Sequence, residues 1–252
     1  LPMLLKHPYV AMVTLDGCGN VAKLAEQIHQ AGKQTAYALP HVLRETSEQL
    51  LEKGMDWKQF DRIWVRSYDG IGFAKDTLGI PVEKLALDAG LYVFSREASA
   101  DFLAEGFVGY TASMELNHKE LTHMENSQAE LMLYGYAPLM VSAQCVVKTL
   151  KGCTAKREHL IMKDRTGAGL PLKAHCNFCY NTILNPLPLS LFGNEEAVRE
   201  LNMASLRLSF TREGKEETQK ILEAFAASYK EGRVVAEPVK DFTRGHFRRG
   251  VE

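Results

Sequence analysis

The chain alternates short apolar runs with segments of helical periodicity, and this rhythm limits its possible folds more than any other feature. The first apolar run covers residues 10–15, and Val21, Ala25 and Ile28 then recur on one face of a helix. Parallel strands need such crossover helices, so the alternation is typical of a parallel α/β sheet. Five or six such units before residue 136 favour a TIM-type (β/α) barrel, complete or incomplete. Later strands are predicted at 35–39, 62–66, within 84–94, and at 108–114 and 130–135.

The rhythm breaks after residue 136. Residues 160–163 and 170–174 flank the turn-forming residues 164–167, which predicts an antiparallel β-hairpin inserted among the cysteines. The barrel pattern resumes with strands at 187–191 and 206–210 and two further helices. We therefore predict a barrel domain over residues 1–231, with an insertion at about 138–180, and a basic C-terminal arm or linker over 232–252.

Length and composition set the class of protein. A chain of 252 residues is about the size of a (β/α)8 barrel, and 46% hydrophobic residues predict a soluble protein with a sizeable core. A net charge of -1 gives no overall attraction to nucleic acid or to an anionic membrane. No apolar run approaches the roughly 20 residues that span a bilayer. Because the chain begins without Met and ends abruptly, we expect it to be part of a longer polypeptide.

Four of the five cysteines lie within 35 residues, and we call these four the cysteine set: Cys145, Cys153, Cys176 and Cys179. A C-x-x-C pair places two thiolates on one turn, and a second pair of thiols can complete a four-thiolate site. Such a site suits Zn²⁺ or an iron–sulfur cluster, and the spacing does not choose between them. The alternative is a redox C-x-x-C with two buried structural thiols.

The cysteine pattern also bears on the cellular compartment. An odd number of cysteines with a C-x-x-C among them favours reduced thiols or metal ligands over a secreted disulfide framework, so we expect a cytoplasmic protein. Cys18 stands among glycines and is interpreted as an ordinary small residue. His175, beside Cys176, is interpreted as an exposed residue or, failing that, as a hydrogen-bond donor to a thiolate.

Hydrolytic motifs are missing from the sequence, which contains neither G-x-S-x-G nor H-E-x-x-H. Polar residues at the ends of predicted strands are the remaining catalytic candidates, because barrel enzymes place their chemistry at that mouth. Glu115 and Arg66 are the two candidates, and Asp88 and Arg207 occupy similar positions. The alternative is an internal Arg–carboxylate pair that holds the mouth together.

Three motifs resemble those of the collagenase-like peptidase U-32 family, and the resemblance covers most of residues 35–252. They are Ala112-Ser113-Met114-Glu115-Leu116-Asn117, Glu130-x-Met132-x-x-Gly135 with Ser142-Ala143-Gln144-Cys145-x-Val147, and Thr243-Arg244-Gly245-His246-Phe247-x-Arg249-Gly250. The chain departs from the family pattern where Pro138 replaces a cysteine, Ala143 a glycine and Lys148 a serine. The resemblance therefore implies that Cys176 and Cys179 must complete any four-cysteine site.

The resemblance implies two different activities. The family is labelled as a peptidase of unknown catalytic type, whereas other members carry a 4Fe–4S cluster on four cysteines. Those members take part in oxygen-independent hydroxylation of RNA bases or of a quinone precursor. Since the residues give no peptidase constellation, we expect a 4Fe–4S cluster on the cysteine set and a modifying enzyme. The alternatives are a protease, or a non-catalytic RNA- or domain-binding module with a structural Zn site.

The C-terminal arm alternates basic and aromatic residues. Arg244, Arg248 and Arg249 stand with Phe242 and Phe247, a pattern that could contact RNA phosphates and stack on bases. The alternative is a solvated tail, or a linker that docks on another domain.

Overall fold

The structure is a computed structural model that describes residues 1–17, 20–153 and 159–251. Cys18, which the sequence indicates is an ordinary small residue rather than a ligand, lies outside the described residues. Seven parallel strands curl through 269° into a half-barrel. They are β1 (Met12–Asp16), β2 (Gln34–Ala38), β3 (Arg62–Val65), β4 (Leu85–Leu87), β5 (Tyr110–Thr111), β6 (Ala129–Gly135) and, paired with β6, β12 (Ser205–Ser209). The predicted α/β class with a parallel sheet is confirmed.

Helices cover the convex side of this sheet. In α2, Val21, Ala25 and Ile28 are buried as the periodicity predicts, and Gly32, with φ of 71°, turns the chain just after the helix. The helices are α1 (Pro2–Lys6), α2 (Val21–Gln30), α3 (Glu45–Gly54), α4 (Tyr68–Gly72), α5 (Arg96–Ala104), α6 (His118–Leu121), α7 (Val146–Lys151), α8 (Glu195–Glu200) and α9 (Lys215–Phe225). Within the described ranges, no helix combines the length and apolar character needed to cross a bilayer.

The concave side of the half-barrel is packed around one large ring. Trp64 of β3 is fully buried among Ala36 and Ala38 of β2 and Ala86 of β4. Small side chains on the neighbouring strands leave room for the indole, so the interior is filled with side chains, as in closed barrels. The opposite faces of the same strands pack against the helices.

A second sheet follows β6 and is antiparallel. Its strands run in the order β7 (Pro138–Ser142), β10 (Tyr180–Leu184), β9 (Gly169–His175) and β8 (His159–Lys163). The segments predicted as an inserted hairpin therefore belong to β8 and β9 of a four-stranded sheet. The cysteine set lies outside these two strands: Cys145 and Cys153 flank α7, and Cys176 and Cys179 lie in the β9–β10 turn.

The barrel strand predicted at 187–191 is found in the same sheet, but it is shorter and runs in the opposite direction. The observed strand β11 (Leu189–Ser190) has only two residues and runs antiparallel to β6. Pro186 and Pro188 precede it, and neither can donate a backbone hydrogen bond to a neighbouring strand, which explains the short pairing.

The C-terminal arm folds back on the half-barrel. Its Thr243 bridges to Leu189 of β11, and Phe247 is buried beside His118 with its carbonyl accepting the His118 amide at 2.7 Å. Arg244 pairs with Glu237 at 3.1 Å. Phe247 is therefore closed to base stacking, whereas Arg248 and Arg249 stay exposed.

Candidate functional site

The cysteine set converges on one cavity of about 670 Å³, which we call the cysteine cavity. Cys145 and Cys153 reach it from the two ends of α7, and Cys176 and Cys179 reach it from the β9–β10 turn. The other lining residues are Arg44, Ala143, Gln144, Val147, Lys148, Thr149, Ala174, His175, Tyr180 and Asn181. Two stretches of chain separated by 22 residues thus supply sulfur to the same space.

Cys145 is the N-cap residue of α7. The Lys148 amide donates to Cys145 Sγ at 3.5 Å, and Thr149 Oγ1 donates to the Cys145 carbonyl at 3.1 Å. Arg44 Nη2 donates to the Ala143 carbonyl just before this helix start. Contacts on both sides of Cys145 therefore fix the direction in which its sulfur points, and amide donation to sulfur is a feature of cluster-binding thiolates.

The C-x-x-C turn is anchored by Phe178, one of the two residues between its cysteines. Phe178 is buried in the same apolar cluster as Tyr180 and donates its amide to the His175 carbonyl at 2.9 Å. Cys179 has a left-handed backbone with φ of 53°, which costs a residue with a side chain about 1 kcal/mol or more. The turn keeps this unfavourable conformation because Phe178 holds it from the core, and both cysteines consequently border the cavity.

The exposure of the four cysteines and the distances between them in space decide which kind of metal centre the cavity can hold. Cys145 and Cys176 are partly buried, whereas Cys153 and Cys179 are exposed. In the part of the chain that the structure describes, no group of three or more His, Cys, Asp or Glu side chains is close enough to hold a single metal ion. A tetrahedral zinc site needs sulfur atoms about 3.8 Å apart. The cysteine set therefore shares a cavity without forming a preassembled zinc site.

The lining of the cysteine cavity has positive charge. Arg44 and Lys148 border it, and none of its described lining residues is a carboxylate. A 4Fe–4S cluster with four thiolate ligands carries net negative charge, so these cations match it electrostatically. Four thiols and two cations around one cavity are a donor set that fits an iron–sulfur cluster.

His175 and Tyr180 stand between the cysteine cavity and the mouth of the half-barrel. Their rings stack with centroids 4.2 Å apart, and Tyr180 Oη accepts the His41 amide at 3.3 Å. The interpretation of His175 as exposed is wrong, because stacking and a contact of 3.2 Å with Thr182 Oγ1 leave it only 8% exposed. Burial lowers the pKa of His175 to about 3 and that of His41 to about 4, so both imidazoles are neutral near pH 7.

A chain of alternating charges crosses the concave side of the half-barrel, and we call it the ion chain: Asp16, Arg66, Asp88, Arg207 and Glu130. Asp88 accepts from Arg66 Nε at 2.9 Å and from Arg207 Nη1 at 2.7 Å. Lys173 of the second sheet adds a contact of 2.9 Å to Asp16. The ion chain therefore links the ends of β1, β3 and β4 to the middle of β12.

Electrostatic effects differ along the ion chain. Burial alone would raise the pKa of Asp88, but the guanidinium groups of Arg207 and Arg66 outweigh it and hold that pKa far below its usual range. For Glu130, burial prevails over the attraction of Arg207, and its pKa is raised. Asp88 forms ion pairs with two guanidinium groups, whereas Glu130 pairs with Arg207 and is also repelled by Asp88, which accounts for the opposite directions.

The two catalytic candidates from the sequence lie in different environments. Arg66 is ion-paired to Asp88 and Asp16, which corresponds to the alternative of an internal pair that holds the mouth. Glu115 lies in a turn after β5, where its amide donates to Ser113 Oγ at 3.3 Å. Glu115 neither lines the cysteine cavity nor forms an ion pair with any residue of the described ranges.

Sequence reasoning missed several polar residues of the site. Asp16 directly follows the apolar run at 10–15 and is the last residue of β1. The search for polar residues at strand ends, which selected Arg66, could therefore have found it. No sequence pattern marks Lys173, Tyr180 or Asn181, because their hydrogen-bond partners are distant in sequence. Comparisons of the chain with models of protein families, with curated proteins and with solved structures find no match.

Proposed function

We propose that the cysteine set holds a 4Fe–4S cluster and that the chain is a domain of an iron–sulfur-dependent enzyme of the hydroxylation type, acting on RNA or a small molecule. The observation that carries the proposal is the convergence of all four cysteines on one cavity with a positively charged lining. The motif resemblance to the peptidase U-32 family supplies the reaction class. In this proposal the half-barrel is an incomplete TIM-type barrel with a cysteine-bearing insertion, in a cytoplasmic protein that is part of a longer polypeptide.

Several residues around the cysteine cavity and the barrel mouth have a proposed task. When bound, the cluster supplies electrons or a binding position for substrate next to the barrel mouth. Arg44 and Lys148 offset its negative charge. The stacked rings of His175 and Tyr180 limit the access of water between the cavity and the ion chain. The ion chain holds the strand ends in place, and we assign it a structural task because its carboxylates and guanidinium groups form ion pairs with one another.

The test is anaerobic purification and reconstitution, followed by iron and sulfide analysis and by absorption and EPR spectra of the reduced protein. We expect about four iron and four sulfide per chain. Single Cys→Ala changes in the cysteine set should abolish the spectrum, and Cys18→Ala is the matched control that should retain it.

Two other results would redirect the proposal. A colourless protein with one equivalent of zinc would identify a structural zinc site and a binding module. A protein that takes up neither metal would end the cysteine-centred account. Gelatin cleavage that survives added chelator and the loss of the cysteine set would support the protease alternative.

A further inference from the structure

Asn181 is completely buried at the start of β10, yet its side chain bonds outside its own sheet. Its Oδ1 accepts the Val146 amide at 2.7 Å. Its Nδ2 donates to the Tyr180 carbonyl at 3.0 Å. Both ends of the amide are therefore satisfied, and one of them reaches the residue that directly follows Cys145.

The Val146 amide needs such an acceptor. Val146 is the first residue of α7, and the first amides of a helix have no carbonyl partner inside it. The N-cap residue Cys145 accepts from Lys148 through its sulfur, so its side chain does not serve the Val146 amide. Asn181 supplies the missing acceptor from the second sheet, and the start of α7 is fixed to β10 by this bond.

The position of Asn181 connects the two halves of the cysteine set. It follows Cys179 by two residues, at the start of the strand that leaves the C-x-x-C turn, and it holds Cys145 through Val146. We infer that Asn181 is a positioning residue that sets where Cys145 stands relative to the C-x-x-C turn. The inference rests on the proposed function for its link to a cluster, but the bond itself concerns the chain alone.

A buried asparagine that only stabilises the fold would act differently from a positioning residue. Loss of general stability loosens every cysteine near the second sheet, whereas loss of the Val146 contact releases Cys145 selectively. The decisive readout is therefore the reactivity of each thiol, measured separately in the metal-free protein.

The experiment follows alkylation by N-ethylmaleimide, with each cysteine resolved by peptide mass spectrometry. Asn181→Ala removes the acceptor. Ile183→Val, on the same strand and in the apolar cluster against which Val146 and Cys176 pack, is the control for loosening of the sheet. We expect Asn181→Ala to speed alkylation of Cys145 about tenfold while Cys176 and Cys179 change less than about twofold. Ile183→Val should leave the Cys145 rate near that of the unmodified protein.

The inference is overturned if Asn181→Ala leaves Cys145 unchanged or if it speeds all cysteines equally. In the iron-loaded protein, we expect Asn181→Ala to release iron to a chelator about tenfold faster. If the unmodified protein takes up no iron, the proposed cluster fails, and the alkylation rates still decide the role of Asn181.

Discussion

Arg207 Nη1 lies 2.7 Å from Asp88 Oδ1, and this contact joins the outermost parallel strand β12 to the end of β4 across the concave side of the half-barrel. The same guanidinium lies over the Trp64 ring, 4.5 Å from its centroid, and contacts Glu130. A sheet that does not close lacks the backbone bonds between its first and last strands. Side-chain contacts across the interior therefore help to hold its curvature.

Replacing the acceptor tests this role. Asp88→Asn leaves Arg66 and Arg207 without their shared carboxylate while both remain largely buried. We expect the free energy of unfolding to fall by about 3 kcal/mol, because each of two largely buried guanidinium groups loses one of its two carboxylate partners. Urea denaturation measures the change. Asp101→Asn, on the exposed face of α5, is the matched control and should shift the midpoint little. Equal effects of the two changes would contradict a structural task for the ion chain.

The same carboxylate predicts a sensitivity to acid. The pKa of Asp88 is lower in the folded than in the unfolded chain. The carboxylate therefore contributes its full stability above the pKa of the unfolded chain, which is about 3.9. This contribution is lost as the pH falls below that value. We expect the free energy of unfolding to drop below about pH 4. Asp88→Asn should remove much of this slope in urea titrations between about pH 3 and about pH 6.

Glu130 provides an internal check on that pH dependence. Burial raises the pKa of Glu130 despite the attraction of Arg207. The contribution of Glu130 to the free energy of unfolding therefore depends on pH in the opposite direction, and it is lost as the pH rises through the raised pKa. Glu130→Gln should therefore cost less stability at pH 7 than Asp88→Asn. A larger cost for Glu130→Gln would show that Arg207 depends mainly on Glu130.

The sequence predicts the fold where local pattern decides it and fails where distant contacts do. The runs that form β1, β2, β3, β6 and β12 are apolar and stand next to helical segments, so periodicity finds them. The open sheet could not be predicted in the same way, because closure depends on pairing between strands far apart in the chain. The residues near Pro186 and Pro188 are equally apolar, yet they form only the short antiparallel strand β11.

The candidate site shows the same division. The density of cysteines predicted a common centre, and all four line one cavity. Asn181 and Tyr180 were missed because their bonds span 35 and 139 residues. His175 was misinterpreted because nothing in the sequence around the C-x-x-C indicates that the ring of Tyr180 stacks on the imidazole.

The C-terminal arm offers a prediction about docking. Phe247 is buried against α6, and its ring packs edge-on to His118 with centroids 5.7 Å apart. Phe247→Ala removes this anchor, so we expect trypsin to cleave within the arm at least about tenfold faster. Val234→Ala, at a fully exposed position of the same arm, is the control and should leave the rate unchanged. Unaltered cleavage of Phe247→Ala would show that the contacts of Arg244 suffice to hold the arm.

Removal of the proposed cluster should loosen one part of the molecule only. The second sheet has its own small apolar cluster around Leu172 and Ile183, whereas the half-barrel has much larger ones. Four thiolate bonds would therefore contribute a larger share of the stability in residues 138–184 than elsewhere. We expect hydrogen exchange of 138–184 to speed up after iron chelation, while strands β1 to β4 stay protected. The variant Cys153→Ala should show the same pattern without chelator, and Cys18→Ala should not. Uniform loss of protection would indicate that the cluster supports the whole fold, and no change would indicate that the cysteine set binds no metal.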